Sequence, residues 1–192
     1  MIKFFTAKEL SQKFNVNLAR LKRWSREFLP PDPLGGLQSG YARQFNPDEA
    51  FTVILGGHLV GDLKLTIPDA RQIIQDLNEW LAEHEFFFNF SGRDNSPPKK
   101  AGPAKHYQIA IIKKKITGAA DSGFIYQVRG IIADDVIDLH GQQIRQLHFT
   151  ESCIGSDLSE PAPFYTESHR VLNISALRDR FLSTLAESKS TG

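Results

Sequence analysis

A chain of 192 residues holds one large domain or two small ones, and 41% hydrophobic with 23% charged residues excludes a largely disordered polymer. A net charge of +1 is silent by itself, so any signal for nucleic acid lies in how charge is distributed. One cysteine, Cys153, excludes an internal disulfide, and no apolar run approaches the ~18 residues of a membrane span, so a soluble, cytoplasmic protein is expected.

Thr6 is a good helix cap, and Glu9 three residues on completes a capping box; Ala7, Leu10 and Phe14 then share one face of a short helix. Asn15-Val16-Asn17 interrupts it, and Asn17 can cap a second helix. That helix carries Leu18, Leu21, Trp24 or Ser25, and Phe28 at the spacing of a buried stripe, and turns Arg20, Lys22, Arg23 and Arg26 the other way. Two short helices joined by a tight turn suit a DNA-reading helix-turn-helix, in which the second helix fits the ~12 Å major groove. A solvated basic face on an ordinary helical pair fits the same pattern.

Pro30-Pro31-Asp32-Pro33 ends the second helix, and the turn-rich stretch Leu34 to Tyr41 reads as a β-hairpin wing. Asn46-Pro47-Asp48-Glu49 starts a third helix with Phe51, Ile54, Leu55, His58 and Leu59 inward. Gly56 and Gly57 weaken that helix by roughly 1 kcal/mol each relative to alanine, and Gly61 ends it. Thr66-Ile67-Pro68-Asp69 opens a fourth helix with the stripe Ala70, Ile73, Ile74, Leu77 and Leu81.

This order of parts resembles the MerR family of transcriptional regulators, and is similar to the DNA-binding domains of phage excisionases. The resemblance rests on Phe5-Thr6-Ala7-Lys8-Glu9-Leu10, on Val16 through Trp24, and on Gly40-Tyr41-Ala42-Arg43-Gln44-Phe45, and it covers residues 3 to about 84. It implies a winged helix-turn-helix that binds double-stranded DNA. Lys22 takes the place of the family's recognition-helix arginine, flanked by Arg20 and Arg23, and Asn17 is expected among the DNA-binding residues with them. Trp24 matches an aromatic that packs the helix near the DNA backbone, and Arg26 a further basic position. Tyr41 and Arg43 match the wing, with Arg43 one residue off the family's Gly-Tyr-Arg spacing. The long dimerisation helix of the family's activators has no counterpart here.

Phe86, Phe87, Phe88 and Phe90 form an aromatic cluster that is expected to seal the end of the fourth helix. Ser91 to Lys105 reads as an exposed linker, and its Arg93, Lys99, Lys100 and Lys105, with Lys113-Lys114-Lys115 beyond, suit either phosphate contact or simple solubility. The chain thus divides into a DNA-binding domain over 1–88, a basic Pro-rich linker over 89–105, and a small α+β domain over 106–192.

In that last domain Tyr107–Ile112 and Phe124–Arg129 read as strands about a turn at Gly118–Gly123. Val136–Leu139 and Ile144–Phe149 read as further strands about His140-Gly141, and Arg170–Leu172 as another. Ser175 then caps a closing helix with Leu177, Phe181, Leu182 and Leu185 inward. The expected fold is α+β, a mainly helical winged domain followed by an antiparallel sheet with a closing helix.

His140, His148, Glu151, Cys153 and His169 lack the spacing of a zinc site, and Asp134, Asp135 and Asp138 read more readily as a polar turn than as a cation site. No phosphate loop or nucleophile motif is present, so no enzyme activity, metal or cofactor is expected. The expectation is a sequence-specific DNA-binding protein, a MerR-like transcriptional regulator, dimeric through residues 106 to 187, its effector unknown. An excisionase-like or architectural DNA-bending protein and a protein-interaction adaptor are the alternatives.

Overall fold

A computed structural model describes residues 4–32, 42–87, 106–114, 123–154 and 169–187. It is an α+β protein, with five helices and two antiparallel sheets among those residues. The chain divides into two compact units, Met1–Pro98 with Arg178–Gly192, and Lys99–Leu177. The wing (34–41, including Tyr41) and the linker (89–105) lie outside the described residues.

The first unit opens with β1 (Phe5–Thr6) and α1 (Ala7–Lys13). The Glu9 amide donates to Thr6 Oγ1 at 3.2 Å and the Thr6 amide donates to Glu9 Oε2 at 2.7 Å, so the expected capping box is formed. α2 (Leu18–Phe28) follows a short turn, and β2 (Gln44–Phe45) pairs antiparallel with β1, Phe5 opposite Phe45. α3 (Pro47–Gly61) and α4 (Ile67–Glu83) complete the helical core. Leu10, Leu21, Phe51, Leu55, Leu59, Ile73, Leu77 and Leu81 are all but fully enclosed there.

The glycine pair of α3 does more than weaken a helix. A Cβ on Gly57 would lie 2.3 Å from Trp24 Cζ3, and one on Gly56 would lie 2.3 Å from Phe28 Cδ2. The two rings of α2 therefore rest directly on the glycine surface of α3, an approach that no larger residue permits.

At the far end of α4, Phe86 is buried and stacks on Trp80 at 5.5 Å, while Phe87 meets Phe51 edge-on at 6.5 Å. These rings close the end of the fourth helix, and residues 88–90 lie outside the described set.

The second unit is a four-stranded antiparallel sheet of β3 (His106–Lys114), β4 (Gly123–Leu139), β5 (Gln142–Ile154) and β6 (Arg170–Leu172), in the order β5-β4-β3-β6. The register sets Ile111 opposite Tyr126, Ile109 opposite Val128 and Leu172 opposite Ile109. Residues directly opposite share a face, so these apolar side chains gather on one side of the sheet. Ile174 and Leu177, from the start of α5 (Ile174–Ala186), are buried with them.

Four expectations for this half need correction, the first being the polar turn, since Asp134, Asp135 and Asp138 lie on strand β4. Val136–Leu139 and Ile144–Phe149 are not separate strands but the outer lengths of β4 and β5, which run unbroken through the sheet. They form one long hairpin, turned at His140 (φ 56°) and Gly141 (φ 82°) as a two-residue turn with two positive φ angles requires. The cap of α5 is Asn173, whose Oδ1 accepts from the Ala176 amide at 3.0 Å; Ser175 Oγ accepts instead from the Tyr107 amide at 2.8 Å. Leu182 is exposed rather than inward.

A further difference concerns the boundary after residue 177. Residues 178–192 group with the first unit, and the reason is aromatic. Phe181 is fully buried, stacked on Phe14 at 5.4 Å and edge-on to Phe51 at 5.3 Å. Lys13 Nζ donates to the backbone carbonyls of Thr184 and Leu185 at 3.3 Å and of Glu187 at 2.7 Å. That ammonium satisfies carbonyls which a helix end leaves without partners, and it complements the negative end of the helix dipole.

Candidate nucleic-acid interface

The feature that carries chemistry in the first unit is the outward side of α2. Its position is set by the turn that precedes it. Asn15 takes up a left-handed conformation (φ 51°), which asparagine tolerates better than most residues. The Val16 amide donates to the Ser11 carbonyl at 3.0 Å, and Ser11 Oγ donates to the Val16 carbonyl at 2.6 Å. Asn17 Oδ1 then accepts from the amides of Ala19 (2.9 Å) and Arg20 (3.3 Å), starting α2 at once. Asn17 is thus a capping residue, as its sequence context predicts.

The inward side of α2 carries Leu21, Trp24, Ser25 and Phe28, all buried. Arg20, Lys22, Arg23 and Arg26 are all exposed, and among the described residues none of the four has an ion-pair partner. The single acid of the helix, Glu27, is held elsewhere. Arg71 of α4 donates through Nη2 to Glu27 Oε2 and through Nε to the Glu27 carbonyl at 3.0 Å. Four cations therefore face solvent on three turns of helix with no acid of α2 offsetting them, a local positive field that the net charge conceals.

The remaining predicted residues sit differently. Trp24 is only 8% exposed, its ring against Gly57, so packing is its role here. Arg43 is turned inward, with 18% of its side chain exposed. Its guanidinium donates to the Pro30 carbonyl and to Glu49 Oε1, both at 2.8 Å, and lies over the Phe45 ring. Glu49 also accepts from the Asn46 amide at 3.0 Å, so one carboxylate closes the α3 cap and anchors Arg43. Tyr41 lies outside the described residues.

Three contributors to this geometry escape a reading of the sequence. Ser11 ties down the turn, Arg71 removes the one competing acid, and the glycine pair lets α2 settle against α3. Only the last leaves a signal, two adjacent glycines inside an otherwise helical, strongly apolar run.

Arg20 lines a groove of about 420 Å³ together with Trp24, Gly57, Lys13, His58 and Arg180. Among the described residues, no three His, Cys, Asp or Glu side chains gather as a metal site requires, and no helix is long and apolar enough to cross a membrane. No family model, curated protein or solved structure matches the chain.

Proposed function

We propose that this protein binds double-stranded DNA sequence-specifically in the cytoplasm as a MerR-like winged helix-turn-helix regulator, with α2 as its recognition helix. The observation that carries the reading is the exposed row Arg20, Lys22, Arg23 and Arg26, free of ion pairs among the described residues and backed by the buried Leu21, Trp24, Ser25 and Phe28. An ordinary surface helix intersperses acids among its cations and gains from pairing them. α2 does the reverse, and its one acid is taken up by Arg71.

The residues divide by task. Arg20, Lys22 and Arg23 reach bases and phosphates, because arginine and lysine donate to guanine edges and to phosphate oxygens alike. Arg26, a turn further along, contacts the backbone. Asn17 and Trp24 hold the helix in place rather than touching DNA, and Arg43 braces the start of α3. One small module contacts too few bases for useful specificity, so the second unit brings two copies together.

Selection from a pool of genomic fragments tests the specificity. Enrichment of a few fragments sharing a half-site repeated about one helical turn apart is expected. Equal retention of every fragment contradicts a sequence reader and indicates an architectural role.

A further inference from the structure

Among the described residues, the outer edge of β5 is an unguarded template for another strand. It runs thirteen residues, Gln142–Ile154, at the margin of the sheet, without a proline, glycine or lysine to blunt it. Among the described residues nothing pairs with that edge. Apolar side chains stand exposed along it, Leu147 at 40% and Phe149 at 43%, with Ile144 similar. A long, partly apolar edge in water invites strand addition, and native proteins cover such edges or charge them.

Charge selects the occupant. Set antiparallel to itself with His148 opposite His148, β5 places Arg145 opposite Glu151 and Leu147 opposite Phe149, twice over by symmetry. Shifting the centre to Leu147 sets Arg145 against Phe149; shifting it to Phe149 sets Leu147 against Glu151. Of these three, only the His148-centred register sets Arg145 against Glu151 and Leu147 against Phe149. Arg145 already pairs with Asp134, and Glu151 with Arg129 at 2.8 Å, all four on one face of the hairpin. Joined across the two copies they form an alternating row, Asp134, Arg145, Glu151 and Arg129, in which every neighbour is opposite in sign. The outer length of β4 offers no such match, because centring on Val136 sets Asp134 against Asp138 of a second copy.

We propose that β5 pairs antiparallel with β5 of a second copy of this chain, centred on His148, to make one continuous eight-stranded sheet. The proposal rests on the reading of the second unit as the self-association domain, and gives that reading its surface; DNA binding is not needed for it.

The test uses the full chain with Cys153→Ser, to remove the native thiol. Light scattering at micromolar concentration is expected to give twice the chain mass. His148→Cys is expected to form an intermolecular disulfide on mild oxidation, since directly opposed Cβ atoms lie about 5 Å apart. Gln143→Cys is expected to form none, its two copies standing ten residues apart, about 34 Å. Leu147→Lys is expected to halve the mass while leaving circular dichroism and the tryptophan-reported thermal midpoint of the first unit unchanged. A monomeric parent protein overturns both the strand pairing and the self-association reading. A dimer that resists Leu147→Lys, or that links at position 143 and not at 148, overturns the strand pairing alone.

Discussion

Trp24 and Phe28 stand four residues apart on α2, and each ring lies against a glycine of α3. Alanine is a better helix former than glycine by about 1 kcal/mol, so propensity alone makes Gly57→Ala stabilising. Packing reverses that sign. A methyl 2.3 Å from a buried indole forces the ring or the helix to move, and overpacking of this kind costs typically 1–3 kcal/mol. Gly57→Ala is therefore expected to lower the thermal midpoint by several degrees, and Gly56→Ala to act likewise against Phe28. A rise in the midpoint on calorimetry would place the rings elsewhere. The pair is visible in the sequence only as a defect, because what it accommodates is another helix. The caps Thr6, Asn17, Asn46 and Thr66 are, by contrast, all legible, since each depends on amides two or three residues away.

Elements built from local signals follow the sequence closely, while those set by tertiary pairing do not. α5 shows why. Asn173 and Ser175 both suit a cap and stand two residues apart, and the sheet decides between them by drawing Ser175 Oγ onto the Tyr107 amide. The two substitutions should differ in kind. Asn173→Ala removes a cap at about 1 kcal/mol. Ser175→Ala removes the hydroxyl that accepts from the Tyr107 amide, a loss of about 0.5–1.5 kcal/mol. Amide exchange separates them: Asn173→Ala is expected to speed exchange in the first turn of α5, and Ser175→Ala at Tyr107 on β3. Faster exchange at Tyr107 in the Asn173 variant instead would contradict the assignment. The β4–β5 hairpin is a related case. Its turn is plain from His140-Gly141, yet its length is not, because an interval of mixed polarity between two apolar runs reads as a break when it is continuous strand.

At the scale of the whole molecule, the proline-rich stretch after residue 90 suggests that everything beyond it is a separate domain, and composition holds no sign that the last helix is shared. What returns residues 178–192 to the first unit is a contact between rings more than a hundred residues apart, Phe181 with Phe14 and Phe51. Both tryptophans, Trp24 and Trp80, belong to that unit and are buried, so their fluorescence follows its unfolding alone. Phe181→Ala is expected to destabilise that transition by about 3–5 kcal/mol, and a fragment of residues 1–105 to show a similar loss. A tryptophan transition unchanged by either would return the closing helix to the second unit.

The basic face of α2 was legible because it needs only helical periodicity and four cations against one acid, Glu27, all written in eleven consecutive residues. That Arg43 is committed to Glu49 and Pro30, and Trp24 to Gly57, could be learned only from the fold. The most direct measurement is DNA affinity across a salt series, with the parent protein beside Arg20→Ala/Arg23→Ala. Each neutralised phosphate contributes about 0.9 to the slope of log affinity against log salt, so loss of two contacts should weaken binding and shallow the slope by roughly 2. The same double variant should melt with the parent protein, as both side chains are exposed and unpaired among the described residues. Equal affinity and slope in the two proteins, or no binding by the parent near physiological salt, contradicts the assignment of α2 as a DNA-reading helix.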